Sequence, residues 1–316
     1  MTTAIVLWLL AGGGVALYVG WAISAIAQGA NPWWLAAAGA IAYAGILLAF
    51  TAAWFVIAWI FRAPRPPYAR IGVAGAVRLF WNEFRAIARS GPRMALYRWL
   101  VPDPEPAPAS APVLLLHGVL CNAGVWRALR NDLVARGLGP VYTLSYGPPL
   151  ASIELFADQV AGKIDAILRA TGASRVAIVG HSMGGIVARA YVRRHGGARV
   201  ATLMTLGAPH HGSVHAWLFP GTCLGQLRPG NAWLAELNAK EGTPAPFRQV
   251  SLWSWHDSMV APQTSSRFAG AENIELTGIG HNALLGDPRV YAFVAAELTH
   301  VAQEAAPRSS TSESPA

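Results

Sequence analysis

The first 61 residues contain no Asp, Glu, Lys or Arg. Two apolar runs fill this stretch, at about residues 4–27 and 33–61. A bilayer's hydrocarbon core takes about 20 apolar residues of helix, and both runs exceed that. Between them, Gln28-Gly29-Ala30-Asn31-Pro32 reads as a tight turn. The simplest object is an antiparallel transmembrane hairpin over residues 1–62. Trp33 and Trp34 at one end, and Trp54, Trp59 and Phe61 toward the other, stand where interfacial aromatic belts form. A cleaved leader is a competing reading, with Ala25-Ile26-Ala27 as its cleavage site. It is disfavoured because the start lacks Lys and Arg, the apolar core is too long and a second run follows. A buried soluble hairpin is disfavoured because nothing after residue 61 looks made to cover it. Arg62, Arg65, Arg70, Arg78, Arg85, Arg89, Arg93 and Arg98 all follow the second run, so the positive-inside rule puts the rest of the chain in the cytoplasm.

Charged residues make up only 13% of the chain against about a quarter in soluble domains, which excludes a disordered or heavily solvated protein. The net charge of +8 is carried almost wholly by Arg, as expected of a GC-rich genome or a membrane-facing surface. No basic run is interleaved with a nucleic-acid motif, so nucleic acid is not an expected partner. Two cysteines exclude a disulfide scaffold and a four-thiolate zinc site.

Residues 63–111 form a juxtamembrane unit. Val73, Val77, Phe80, Phe84 and Ile87 recur at helical spacing. That amphipathic helix has two open placements, in the headgroup plane or against the following domain. Pro102, Pro104, Pro106, Pro108 and Pro112 then mark a semi-extended linker. Residues 305–316, rich in Ser, Thr and Pro, read as a disordered tail.

Over residues 112–304 short apolar runs alternate with longer amphipathic ones. The predicted strands are 113–116, 141–146, 175–179, 200–206, 249–253 and 273–276. The predicted helices are 123–136, 153–170, 186–194 and 290–301. This pattern predicts an α/β fold, a mostly parallel sheet with helices on both faces.

The strand at 175–179 runs into Gly180-His181-Ser182-Met183-Gly184-Gly185 and then a helix, which is the setting a G-x-S-x-G nucleophile turn needs. Gly180 and Gly184 remove side chains that would collide around so sharp a turn. A serine needs a base. With this turn the acid and then the histidine follow the serine along the chain. His281 lies in the Gly-flanked loop after the last predicted strand, whereas His195 and His300 fall at or inside helices. Asp257 is the one carboxylate between Glu241 and Glu272, one strand earlier. The oxyanion donors are the amides of Met183, just after the serine, and of Val119, beside the first strand, where Gly118 lets backbone approach. His117 is expected to brace that loop.

These residues resemble the α/β-hydrolase superfamily, and within it bacterial triacylglycerol lipases and esterases. The matches are His117-Gly118-Val119, the stretch from Gly180 to Gly185, Thr205-Leu206-Gly207-Ala208-Pro209-His210-His211-Gly212-Ser213, Asp257 with Val260, and Gly280-His281. The segment 226–234 is similar to one near the lid of such enzymes. The resemblance implies an α/β-hydrolase fold and ester hydrolysis through an acyl-serine, with no cofactor and no metal. The apolar amino terminus departs from secreted relatives and implies an anchor in the bacterial inner membrane. The expected partners are a lipid or other ester substrate and the bilayer, with no obligate protein partner. A thioesterase or acyltransferase using the same three residues, or an inactive membrane scaffold, are the alternatives. Residues 214–246 hold Trp217, Leu218, Phe219, Leu224, Leu227, Trp233 and Leu237, and read either as a lid or acyl channel or as a helix packed on the sheet edge. Cys121 and Cys223 are expected to stay reduced in a cytoplasmic domain.

Overall fold

The structure is a computed structural model that describes residues 3–305. The predicted tail lies outside the described residues except for Ala305, which ends the last helix. The uncharged amino-terminal stretch forms α1 (Thr3–Ala27) and α2 (Pro32–Ile60). The turn between them sets up α2: Asn31 caps it by accepting from the Trp33 amide at 2.9 Å, and Pro32 takes the first helical position. The two helices meet where the Tyr18 hydroxyl donates to the Leu35 carbonyl. Among the described residues, one helix, α2, is long and apolar enough to cross a membrane by length and composition. The apolar stretch described in α1, Gly12–Ala27, is shorter.

The amphipathic segment forms α3 (Val73–Ala95), followed by the short α4 (Tyr97–Leu100). Of the two expected placements, packing against the following domain is seen on one face of the helix. Leu79 and Glu83, one turn apart, are buried, whereas Val73, Val77 and Trp81 stay exposed. The Pro-rich linker is pinned across the domain. The Ala109 amide donates to the Thr171 carbonyl at 3.0 Å, and Asp103 pairs with Lys163.

Six strands follow: β1 (Val113–Leu116), β2 (Val141–Leu144), β3 (Val176–His181), β4 (Val200–Leu206), β5 (Arg248–Ser254) and β6 (Glu272–Leu276). They form one parallel sheet in the order β2-β1-β3-β4-β5-β6. Period-2 alternation divides the core between the two faces. Leu114, Leu116 and Ile178 face α6 (Ile153–Thr171) and α7 (Met183–His195), where Phe156, Val160, Ile164 and Val187 cover them. Val113, Leu115, Val179 and Leu252 face α5 (Arg127–Ala135) and α10 (Pro288–Ala305), where Leu129, Leu133, Val294 and Leu298 cover them. Each such side chain contributes about 1.5–3 kcal/mol by leaving water. The predicted helix at 123–136 divides into a 3₁₀ turn, Ala123–Trp126, and α5. The segment 214–246 carries two short helices, α8 (Thr222–Gln226) and α9 (Ala232–Asn238). The carboxyl ends of β1, β3, β4, β5 and β6 all open toward one edge, where parallel sheets place their sites.

Candidate active site

Ser182 occupies the junction between β3 and α7, with φ 55° and ψ −129°. That is a left-handed-side conformation that a non-glycine residue adopts only under constraint. The glycines around it explain how the turn closes. A Cβ on Gly184 would stand 2.1 Å from the Leu116 carbonyl oxygen, and one on Gly180 would stand 2.5 Å from the Gly185 nitrogen. The turn is held by the Ser182 amide donating to the Leu206 carbonyl at 2.9 Å. Ser182 stays half-buried with its side chain against Gly118.

His281 and Asp257 come together at 2.8 Å, His281 Nδ1–H donating to Asp257 Oδ2. Both are buried. Asp257 Oδ1 accepts from the Met259 and Val260 amides at 2.8 and 2.7 Å, which fixes the carboxylate's orientation. Burial disfavours the His281 imidazolium, but the charge and hydrogen bond of Asp257, with Glu83 beyond, raise its pKa above the ordinary value. The segment 205–213 frames this pair. Gly207, at φ 56°, leaves room for it: a Cβ there would lie 3.0 Å from Asp257 Oδ2 and 3.4 Å from His281 Nδ1. Ser213 Oγ donates to the Met259 carbonyl at 2.8 Å and so holds the acid loop.

His181, next to Ser182, donates from Nε2 to the His281 carbonyl at 3.1 Å, linking the serine turn to the histidine loop. Burial and the neighbouring His281 push its pKa well down. Met183 is the first residue of α7, so its amide has no partner within the helix. Among the described residues, the Val119 amide donates to no other protein group. Its loop is braced as expected. His117 donates to the Gly118 carbonyl at 2.8 Å and stacks on Tyr146, 4.0 Å between centroids, while the Tyr146 hydroxyl donates to the His117 carbonyl. Burial pushes the His117 pKa down to about 4.

Glu83 was not among the predicted site residues. It reaches from α3 into the space beneath both loops. Oε1 accepts from Ser258 Oγ at 2.8 Å and from the Asn282 amide and side chain, each at 2.9 Å. Oε2 accepts from the Ala283 amide at 2.9 Å. One carboxylate thus ties the residue after Asp257 to the two residues after His281. Gly280 makes room for it, since a Cβ there would lie 2.4 Å from Oε2.

Ser182, His281, Gly118 and Val119 share a cavity of about 330 Å³. Its apolar wall includes Leu120, Phe219, Leu224, Leu227 and, unforeseen, Phe50 and Trp54 of α2. The 214–246 segment divides between the cavity and the core. Its first half lines this cavity, and Leu234 and Leu237 of α9 are buried in the core with α7. Cys121 and Cys223 are free thiols. Among the described residues, no group of three or more His, Cys, Asp or Glu side chains has metal-binding geometry.

A family model described as a PGAP1-like alpha/beta domain matches residues 150–268. Triacylglycerol lipases of Pseudarthrobacter phenanthrenivorans and Burkholderia plantarii are each 32% identical over 118 residues, covering 33% of this chain and 35% and 31% of theirs. The chain thus matches about a third of the length of these curated relatives. Among solved structures, Bacillus licheniformis lipase BlEst2 in its mature form aligns with a TM-score of 0.55 at 18% identity, over 63% of this chain and 96% of that one. Aspergillus fumigatus lipase B aligns with a TM-score of 0.53 at 19% identity, over 61% and 53%. At such identities the structural likeness is one of fold. The chain therefore carries an α/β-hydrolase fold, and its likeness is to lipases and esterases.

Proposed function

We propose that the protein is a membrane-anchored serine hydrolase that cleaves carboxylic esters, lipid-derived ones in particular. The observation that carries this reading is the Asp257–His281 hydrogen bond, set beside the cavity that Ser182 shares with His281. Ser182 Oγ attacks the ester carbonyl while His281 Nε2 takes its proton. Asp257 holds the Nδ1–H tautomer and stabilises the imidazolium as it forms. The Val119 and Met183 amides donate to the carbonyl oxygen as it becomes an oxyanion, each worth about 3–4 kcal/mol of barrier. His281 returns the proton to the departing alcohol. A water molecule, deprotonated by the same imidazole, then attacks the acyl-serine and releases the acid. Glu83 acts as a positioning residue by holding the acid and base loops in register.

Residues 1–62 act as a two-span anchor, residues 63–111 as a juxtamembrane segment and residues 112–304 as the catalytic domain. The Arg-rich flank after α2 supports a cytoplasmic-side placement of that domain at the inner membrane. The length and composition of α2 and the Tyr18–Leu35 contact support the hairpin. The test is labelling by a fluorophosphonate probe in mild detergent, with hydrolysis of an ester panel. Labelling and turnover, both lost in Ser182→Ala, support the reading. A folded wild-type chain that neither labels nor turns over any ester refutes it.

A further inference from the structure

The hydrolase fold does not close the cavity in front of Ser182 by itself. Phe50 and Trp54, one turn apart on α2, supply part of its wall. Trp54 is built into that wall. Its ring lies 4.7 Å from that of His215 and stacks on Phe219 at 6.1 Å, and its carbonyl accepts from His215 Nε2 at 3.4 Å. Leu224, Leu227 and the expected oxyanion donor Val119 line the same cavity.

Depth along α2 gives this placement its meaning. At 1.5 Å per residue, a 29-residue helix is about 43 Å long. That matches a whole bilayer with its headgroup layers, about 40–45 Å. Trp54 lies six residues before the end at Ile60, about 9 Å inward, and Phe50 about 15 Å inward. The first depth is near the boundary between headgroups and hydrocarbon, and the second is within the hydrocarbon. A lipid ester carbonyl sits at that boundary, with its acyl chain running inward. A second observation points the same way. After residue 112, the large apolar side chains left exposed include Leu120, Trp217, Leu218 and Phe219, at 45%, 61%, 47% and 41%. All four belong to the two segments that line the cavity. Such a rim beside a spanning helix is suited to rest on lipid.

We infer that α2 is one half of an acyl-chain site and that the substrate is a lipid ester of the bilayer, entering sideways between α2 and the 216–227 segment. This rests on the hydrolase reading above. The acyl chain lies along the apolar wall that Phe50 and Trp54 of α2 form together with Phe219, Leu224 and Leu227. Its carbonyl reaches Ser182 without leaving the depth it already occupies, so the anchor contributes to specificity as well as to tethering.

The experiment uses the full chain in phospholipid vesicles. The ratio of kcat/KM for a long-chain ester to that for a short-chain ester is measured for the wild type, for Phe50→Ala/Trp54→Ala and for Ile46→Ala. Ile46 is exposed on α2 outside the cavity. The inference expects the ratio to fall at least about tenfold in the double variant, equivalent to about 1.4 kcal/mol of pocket contact, and to hold in Ile46→Ala. An unchanged ratio, or an equal fall in both variants, overturns it. In parallel, a phospholipid with a diazirine on its acyl chain is photolysed with the wild type. Crosslinks within residues 216–227 support the inference, and their absence overturns it whatever the variants do. That readout needs no turnover. Crosslinks with a wild-type chain inert to esters would sink the hydrolase reading and leave a lipid-binding groove.

Discussion

Glu83 offers the sharpest test of how this site is held together. Its carboxylate accepts four hydrogen bonds from Ser258, Asn282 and Ala283, with no exposure to solvent. In Glu83→Ala the Ser258 hydroxyl can rotate to another acceptor, but the two backbone amides of Asn282 and Ala283 cannot. Each orphaned buried donor costs about 1–3 kcal/mol, so the variant is expected to lose about 2–6 kcal/mol of stability. Glu83→Gln keeps one oxygen for Ser258 and Asn282 but turns an NH₂ toward the Ala283 amide. It loses one charge-assisted bond and is expected to cost about 1.5–3 kcal/mol. Catalysis should suffer separately, since a misplacement of about 1 Å between reacting groups can cost about 10²-fold. The assay pairs denaturant unfolding in detergent with kcat/KM against pH. Glu83 is one of the charges that raise the His281 pKa. In the proposed mechanism the neutral imidazole is the base, so Glu83→Gln should move the acid limb of the profile to lower pH while lowering the plateau. A purely structural prop would lower stability and leave the limb in place. A Glu83→Gln chain with the wild-type unfolding midpoint and the wild-type acid limb would refute this account of the clamp.

Other outcomes follow from the same geometry. Because Asp257 raises the His281 pKa, the acid limb should lie above the usual histidine value of about 6.5, and Asp257→Asn should lower both the limb and the rate; a limb that stays put would contradict the assigned pair. His117, His215 and His256 are each pushed down to about 4 by burial. Folded below their unfolded values, they supply stability that is present above about pH 6.5 and lost as the pH falls through 4, about 3 kcal/mol for His117 alone. The raised His281 works in the opposite sense, so a net fall in the unfolding midpoint between those pH values is expected, and a flat profile would count against it. Gly184→Ala puts a methyl 2.1 Å from the Leu116 carbonyl oxygen, and backbone must move to admit it. Overpacking of this kind costs about 1–3 kcal/mol, and probe labelling of Ser182 should fall even in the fraction that folds.

The parts of the molecule legible in the sequence are those encoded over short spans. Strands β1 and β4 match the predicted bounds, and the others match within a few residues, because buried parallel strands are continuous Val, Ile and Leu runs. The sharp turn at Ser182 was legible because it needs glycines at fixed offsets. The meeting of Asp257 with His281 was legible because each follows a strand whose carboxyl end faces the same edge. Glu83 was not, although it left a trace. It is the only acid before Asp103, one turn from Leu79 on a helix whose other charges are all Arg. Its partners lie about 200 residues away, at Asn282 and Ala283, and no local pattern encodes a contact of that span. Phe50 and Trp54 were hidden differently. In a uniformly apolar helix every face reads alike, so nothing marks the side that meets another domain.

Both misses have the same physical origin, and it bears on how the chain works. The hydrolase fold carries the proposed serine, acid, base and oxyanion amides at its own strand ends, but it leaves two gaps. One is under the acid and base loops, where four donors converge without an acceptor of their own. The other is beside the serine, where the cavity wall is incomplete. α3 fills the first with a carboxylate and α2 fills the second with aromatic rings. The two helices belong to consecutive parts of the segment expected to meet the membrane. Further contacts seat that segment on the acid loop and its strand: the Ala63 amide donates to Gln263 at 3.2 Å and Arg65 to the Trp255 carbonyl at 2.9 Å. Displacing this segment would therefore disturb the orientation of the base and the shape of the acyl site together. On this reading the catalytic geometry is complete only when the anchor is seated, which would tie activity to the place where the substrate is found.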